Sequence, residues 1–182
     1  MPRIEKIVML GDSLTEYHAW SDLLEGAGII NLGVGGDTAA GVWCRVKGAA
    51  ARRPDVIVVQ CGINDLGRGI GPEEIAGTHR RIWTDLAELS PGSRIVVCGL
   101  MPINEKKFGW AGPVFNNGAV RRTNEMILAD AASLGHAVLD LYALTADESG
   151  GLPDHMTLDG VHLTPAAYEV WTRALRELLE KI

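Results

Sequence analysis

Long basic runs are missing from this chain: no stretch of Lys and Arg exceeds two residues, as in Arg52-Arg53, Arg80-Arg81, Lys106-Lys107 and Arg121-Arg122. Seventeen Lys plus Arg against 23 Asp plus Glu leave a formal charge of -6. A nucleic-acid-binding face needs a basic stripe, so that class is excluded. Cysteine is scarce too. Cys44, Cys61 and Cys98 are an odd number without metal-type spacing, and Cys61 and Cys98 fall in or just after apolar runs. They read as buried free thiols, not as a disulfide framework. No apolar run approaches the roughly 20 residues that span a bilayer. Near the N-terminus only four apolar residues, Ile7 to Leu10, precede Gly11-Asp12, too few for a signal-peptide core. The expected location is therefore the cytoplasm. Repeats, low-complexity tracts and linkers are absent as well. What remains is an ordinary globular balance, 47% hydrophobic and 22% charged over 182 residues, the size of one domain spanning 1–182. A chain of this length buries roughly 70% of its unfolded surface and needs no staple to fold.

Short apolar runs alternate with longer amphipathic ones. Strands are expected over residues 4–10, 29–34, 55–60, 94–100 and 137–141, and the run Asp55 to Gln60 is β-branched and continuous, as in a strand buried on both faces. Helices are expected over 19–27, 39–52, from Pro72 onward, over 119–134, and from Thr164-Pro165 to the end. Pro72 occupies a first helical position with Glu73 and Glu74 in the first turn, and Gly135 stops the fourth helix. Tyr168, Trp171, Leu175, Leu178 and Ile182 form the stripe of the last one. Five alternations of strand and helix predict an α/β fold: a parallel sheet between two helical layers. Ligands of such folds sit beyond the carboxyl ends of the strands, which narrows the search to the segments that follow them.

Of six serines, only Ser13 directly follows a buried strand, in Gly11-Asp12-Ser13-Leu14-Thr15-Glu16. There a hydroxyl can meet the positive end of a helix, although a plain N-cap is the simpler reading. Gly62-Ile63-Asn64-Asp65 follows the third strand and can bring an amide to the same crevice; an Asx-capped turn is its bland alternative. Val34-Gly35-Gly36-Asp37-Thr38 follows the second, where glycine lets a backbone N–H approach a ligand. Hydroxyl, amide and bare N–H are what a tetrahedral oxyanion needs around it. A serine also needs a base. His79 lies on an apolar helix face and reads as a core residue, His18 and His136 lack a useful acid nearby, and His155 only adjoins Asp154. His162 follows Asp159 by three residues, a spacing that lets a carboxylate hold one ring nitrogen and aim the other. Alone, that pair is a solvated loop.

Taken together and in order, Gly11-Asp12-Ser13-Leu14, Gly35-Gly36-Asp37-Thr38, Gly62-Ile63-Asn64-Asp65 and Asp159-Gly160-Val161-His162 resemble the four blocks of the SGNH hydrolases, also called GDSL esterases and lipases. Their spacing resembles the branch of small intracellular esterases that includes platelet-activating-factor acetylhydrolase subunits. The resemblance implies a flavodoxin-like five-stranded sheet in the order 2-1-3-4-5. It implies Ser13 as nucleophile, His162 as base and Asp159 as its acid. It also implies an oxyanion hole formed by the Ser13 and Gly36 N–H groups and the Asn64 amide. The implied activity is hydrolysis of a small or short-chain carboxylic ester, with a small-molecule acyl ester as partner and no cofactor. Asp12, beside the serine, and Phe108, Trp110 and Phe115 in the 101–118 loop are the candidate substrate contacts.

No H-E-x-x-H or C-x-x-C accompanies Asp12, Asp37 and Asp65, so no metal is expected. Gly33-x-Gly35 is too short for a dinucleotide fingerprint. Three alternatives stay open: an acyltransferase on the same site, a silent relative that binds acylated sugars, and a doubly wound binding or receiver module that uses Asp12 or Asp65 without turnover. A homo-oligomer also stays open, because sequence does not separate an exposed apolar face from a buried one.

Overall fold

A computed structural model describes residues 3–109 and 112–182. The chain runs β1 (Lys6–Gly11), α1 (Ser13–Glu16), a 3-10 turn (Trp20–Asp22), β2 (Gly28–Gly33), α2 (Ala39–Ala50), β3 (Val56–Gln60), α3 (Ile63–Gly67) and α4 (Pro72–Leu89). It continues through β4 (Arg94–Cys98), α5 (Glu105–Phe108), α6 (Asn117–Ser133), β5 (Ala137–Leu139), α7 (Leu141–Thr145), a second 3-10 turn (Asp154–Met156) and α8 (Pro165–Leu179). The five strands form one parallel sheet in the order β2-β1-β3-β4-β5.

Strand parity sorts the core. Val8, Leu10, Ile57, Val59, Ile95 and Val97 point to the face covered by α2, α4 and α6. Ile7, Met9, Val56, Val58, Val96 and Cys98 point to the other, covered by α8 and the chain after α1. All five residues of β3 are buried, as a central strand with helices on both faces requires. Each such Val or Ile contributes on the order of 1.5–3 kcal/mol.

The expected helix over 19–27 reduces to the 3-10 turn at Trp20–Asp22. Trp20 is drawn into the core, its indole N–H donates to Thr15 O at 2.8 Å, and Gly26 takes a φ of +76°, so no regular helix fits. The last strand is shorter than expected, because Asp140 caps α7 by accepting from Ala143 N–H and Leu141 begins that helix. Thr164 does occupy the N-cap of α8, but its hydroxyl donates to His155 O at 2.7 Å and does not cap. Cys61 and Cys98 are buried and unpaired, while Cys44 is exposed. His79 is buried against Trp83, with Nε2 3.3 Å from Cys61 Sγ and Nδ1 unpartnered among the described residues; burial pushes its pKa down to about 4.

Register sets the position of the site. Gly11 pairs with Gly33 on one side and Gln60 on the other. Strands β1, β2 and β3 therefore end at one level, and Asp12-Ser13, Val34 to Gly36 and Cys61 to Asn64 emerge along one edge. That edge is the switch point of a 2-1-3-4-5 sheet.

Candidate active site

The turn out of β1 places Ser13 first in α1. Asp12 is the N-cap, its Oδ1 accepting from Leu14 N–H at 3.0 Å. Two glycines make the tight join possible. A Cβ on Gly11 would lie 2.2 Å from Thr15 Oγ1 and 2.3 Å from Gln60 O, and one on Gly33 would lie 2.3 Å from Glu16 N. Ser13 Oγ lies 3.2 Å from His162 Nε2, and His162 Nδ1 lies 2.6 Å from Asp159 Oδ2. Residues 149 positions apart in sequence thus stand within hydrogen-bond reach of each other.

The loop bearing His162 is a compact turn. Asp159 Oδ1 accepts from Val161 N–H at 3.0 Å and from His162 N–H at 2.8 Å. Buried Thr157 accepts from Gly160 N–H and donates to His162 O, both at 2.8 Å. Partial burial raises the Asp159 pKa, but hydrogen bonds from the His162 ring and from the His162 and Val161 backbone outweigh it. The carboxyl titrates below its ordinary value.

On the opposite side, Val34 to Asp37 form a β-turn closed by Asp37 N–H to Val34 O at 3.1 Å. Gly36 has a φ of +74° and Gly35 has none in the positive range, which makes it type II. A Cβ on Gly35 would stand 4.0 Å from Ser13 Cβ, so the turn lies beside the serine. Among the described residues, neither Ser13 N–H nor Gly36 N–H has an acceptor. Asn64 Nδ2 donates to Asp37 O at 2.9 Å, and its second hydrogen has no acceptor among the described residues.

The nearby carboxylates are engaged elsewhere. Asp37 pairs with Arg45 at 2.6 Å, and Arg45 also donates to Leu32 O and Gly11 O, tying α2 to the ends of β1 and β2. Asp65 accepts from Ala39 N–H at 2.9 Å, and burial raises its pKa. Asp12 has no exposed surface, and its Oδ2 has no partner among the described residues. Burial pushes its pKa up to about 7, against the Leu14 hydrogen bond and with help from Asp65 and Asp37. Among the described residues, no three His, Cys, Asp or Glu side chains group as a metal site requires.

A model of the GDSL-like lipase/acylhydrolase family matches residues 9–170. The chain belongs to that family. Its membership supports esterase-type hydrolysis. The chain is 30% identical to platelet-activating factor acetylhydrolase IB subunit alpha2 of Gallus gallus, over 97% of this chain and 76% of that one. A GDSL-like lipase from Bacteroides thetaiotaomicron superposes with a TM-score of 0.79 at 20% identity, covering 97% of this chain and 88% of that one. The lipase/acylhydrolase of Enterococcus faecalis superposes at 0.80 and 21%, over 98% and 97%. At those identities the two structures speak for the fold alone.

Two of the expected substrate contacts lie inside the protein. Asp12 is fully buried behind the serine and acts as a helix cap. Phe115 is buried in the core, with its ring 5.1 Å from that of Phe108. Phe115 packs in the cluster that holds Leu66 and Ile103. Phe108 is exposed and lies against Gly160 of the His162 loop. Trp110 lies outside the described residues.

Sequence reasoning passed over several residues around the site. The Tyr17 ring is 5.6 Å from the His162 ring and 62% exposed, and Leu158 beside Asp159 is exposed as well. Phe108 and Val34, on segments next to the His162 loop and the Gly35-Gly36 turn, are exposed too. A groove of about 540 Å³ begins at Tyr17 and Leu163 and runs between the chain after α1 and α8. Glu16 and Arg68 bind the Gly35-Gly36 turn. Only the adjacency of Glu16 and Tyr17 to the serine block hinted at any of this.

No helix among the described residues is long and apolar enough to cross a membrane.

Proposed function

We propose that this chain hydrolyses a small or short-chain carboxylic ester through an acyl-enzyme on Ser13. One observation carries the reading: Ser13 Oγ, the His162 ring and Asp159 stand in line at 3.2 and 2.6 Å. His162 takes the Ser13 proton as the hydroxyl attacks the ester carbonyl. Asp159 holds the ring by Nδ1–H and stabilises the imidazolium that forms. The oxyanion is met by the N–H groups of Ser13 and Gly36 and the free hydrogen of Asn64 Nδ2. His162 then gives its proton to the departing alkoxide, and water repeats the sequence on the acyl group.

Two further features support an ester with an apolar part. The exposed Tyr17 ring lies 5.6 Å from that of His162, and Phe108, Leu158 and Val34, exposed as well, belong to segments next to the site residues. The relative from Gallus gallus carries the name of an acetylhydrolase, which favours a short acyl group. Hydrolysis of p-nitrophenyl esters from acetyl to octanoyl, with Ser13→Ala as blank, tests the reading. Turnover should fall about 10⁴–10⁶-fold in the blank and be greatest at the short end. Activity that survives Ser13→Ala sinks the proposal.

A further inference from the structure

Two side chains outside the proposed triad grip the turn that carries Gly36. Glu16 Oε2 accepts from Gly35 N–H at 2.7 Å. Arg68, the C-cap of α3, donates from a guanidinium nitrogen to Gly36 O at 2.8 Å. The two contacts lie on either side of one peptide unit, the Gly35–Gly36 amide. In a β-turn that unit is the one that can flip. Types I and II differ by a rotation of the central peptide of about 180°, which reverses the direction of its N–H. Two adjacent glycines offer little steric resistance to that flip. A flipped peptide would reverse the Gly36 N–H and, in the proposed mechanism, remove a donor from the oxyanion.

We infer that Glu16 and Arg68 are positioning residues: together they lock the Gly35–Gly36 peptide in its type II orientation and keep the Gly36 N–H on the reacting carbonyl. The inference rests on the Ser13 chemistry proposed above. Glu16 lies one turn beyond Ser13, and Arg68 follows Asn64 by four residues. The serine, the asparagine and the glycine donor are thereby tied into one unit by contacts that never touch substrate. A carboxylate so near a developing oxyanion is electrostatically unfavourable in itself. Its use is geometric, so a neutral acceptor of the same shape should serve as well.

The experiment compares Glu16→Ala, Glu16→Gln and Arg68→Met with wild type on p-nitrophenyl acetate, with Ser13→Ala as blank. It reads kcat, KM, inhibition by an alkyl boronic acid and Tm. Glu16→Ala should lose about 10- to 100-fold in kcat, less than deletion of a whole oxyanion donor. KM should stay within about twofold, and boronate inhibition, which mimics the tetrahedral adduct, should weaken in step with kcat/KM. Glu16→Gln should restore most of kcat, and Arg68→Met should resemble Glu16→Ala. Wild-type kcat in Glu16→Ala against a silent blank overturns the lock and leaves the serine reading intact. Equal losses in Glu16→Gln and Glu16→Ala, or losses that follow Tm with boronate inhibition unchanged, overturn it too. Turnover in the Ser13→Ala blank overturns the serine reading instead.

Discussion

Asp12 adjoins Ser13 in the chain, Asp159 reaches it through His162, and the two have opposite characters. Asp12 is sealed beneath it, uses one oxygen as a helix cap, leaves the other bare, and titrates near 7. The Asp159 side chain is 52% exposed, accepts three hydrogen bonds and titrates below the ordinary carboxylate value. Burial without enough donors favours the neutral acid, and donors at a wet surface favour the anion. The carboxylate that the proposed mechanism needs charged, to hold an imidazolium, is the one near water. The residue adjacent to Ser13 in sequence is the architectural one.

The strongest way to break the comparison is Asp159→Asn. The amide can still hydrogen-bond the ring but favours the wrong tautomer, and kcat should fall by on the order of 10⁴. Single-turnover kinetics measure it, and Tm should move little because the site is exposed.

A smaller effect separates the two loops. Thr157→Val removes the hydroxyl that joins Gly160 N–H to His162 O. It leaves a buried amide unpaired, at a cost of about 1–3 kcal/mol in chemical denaturation. It should also loosen His162, with kcat down roughly tenfold. An unchanged kcat would mean that Asp159 alone orients the ring.

The mildest test concerns Asp12. Its folded-state pKa near 7 lies above the ordinary value of 3.8, so the folded protein binds more protons than the unfolded chain between those pH values. Its contribution is complete below about pH 4 and is lost as pH rises through 7. Asn caps helices as well as Asp and does not titrate. Asp12→Asn should therefore flatten the fall in stability from pH 4 to 7, as read by denaturant midpoints. A slope equal to wild type would assign that fall to other groups.

The sequence made β3 and β4 legible because their β-branched runs have no other home than a buried sheet. Three of the four blocks immediately follow a strand, which drew attention to them, while Asp159 to His162 comes after α7 and the second 3-10 turn and showed only through the spacing of its acid and base. The short helices α3, α5 and α7 escaped because four or five residues show no period. Phe115 is buried in the core outside any strand or helix, with no pattern to announce it. Glu16 and Arg68 escaped for another reason. Their partners are backbone atoms of Gly35 and Gly36, and a contact with backbone leaves no trace in the partner's identity.

The glycine-tight seam where β1, α1 and β2 meet has a practical corollary for anyone diversifying this scaffold. At Gly11 and Gly33 even a methyl group collides with backbone atoms. Saturation libraries there should return mostly inactive clones. Variation in substrate preference is better sought at Tyr17, Phe108 and Leu158, whose exposed side chains can change size and polarity without disturbing the frame.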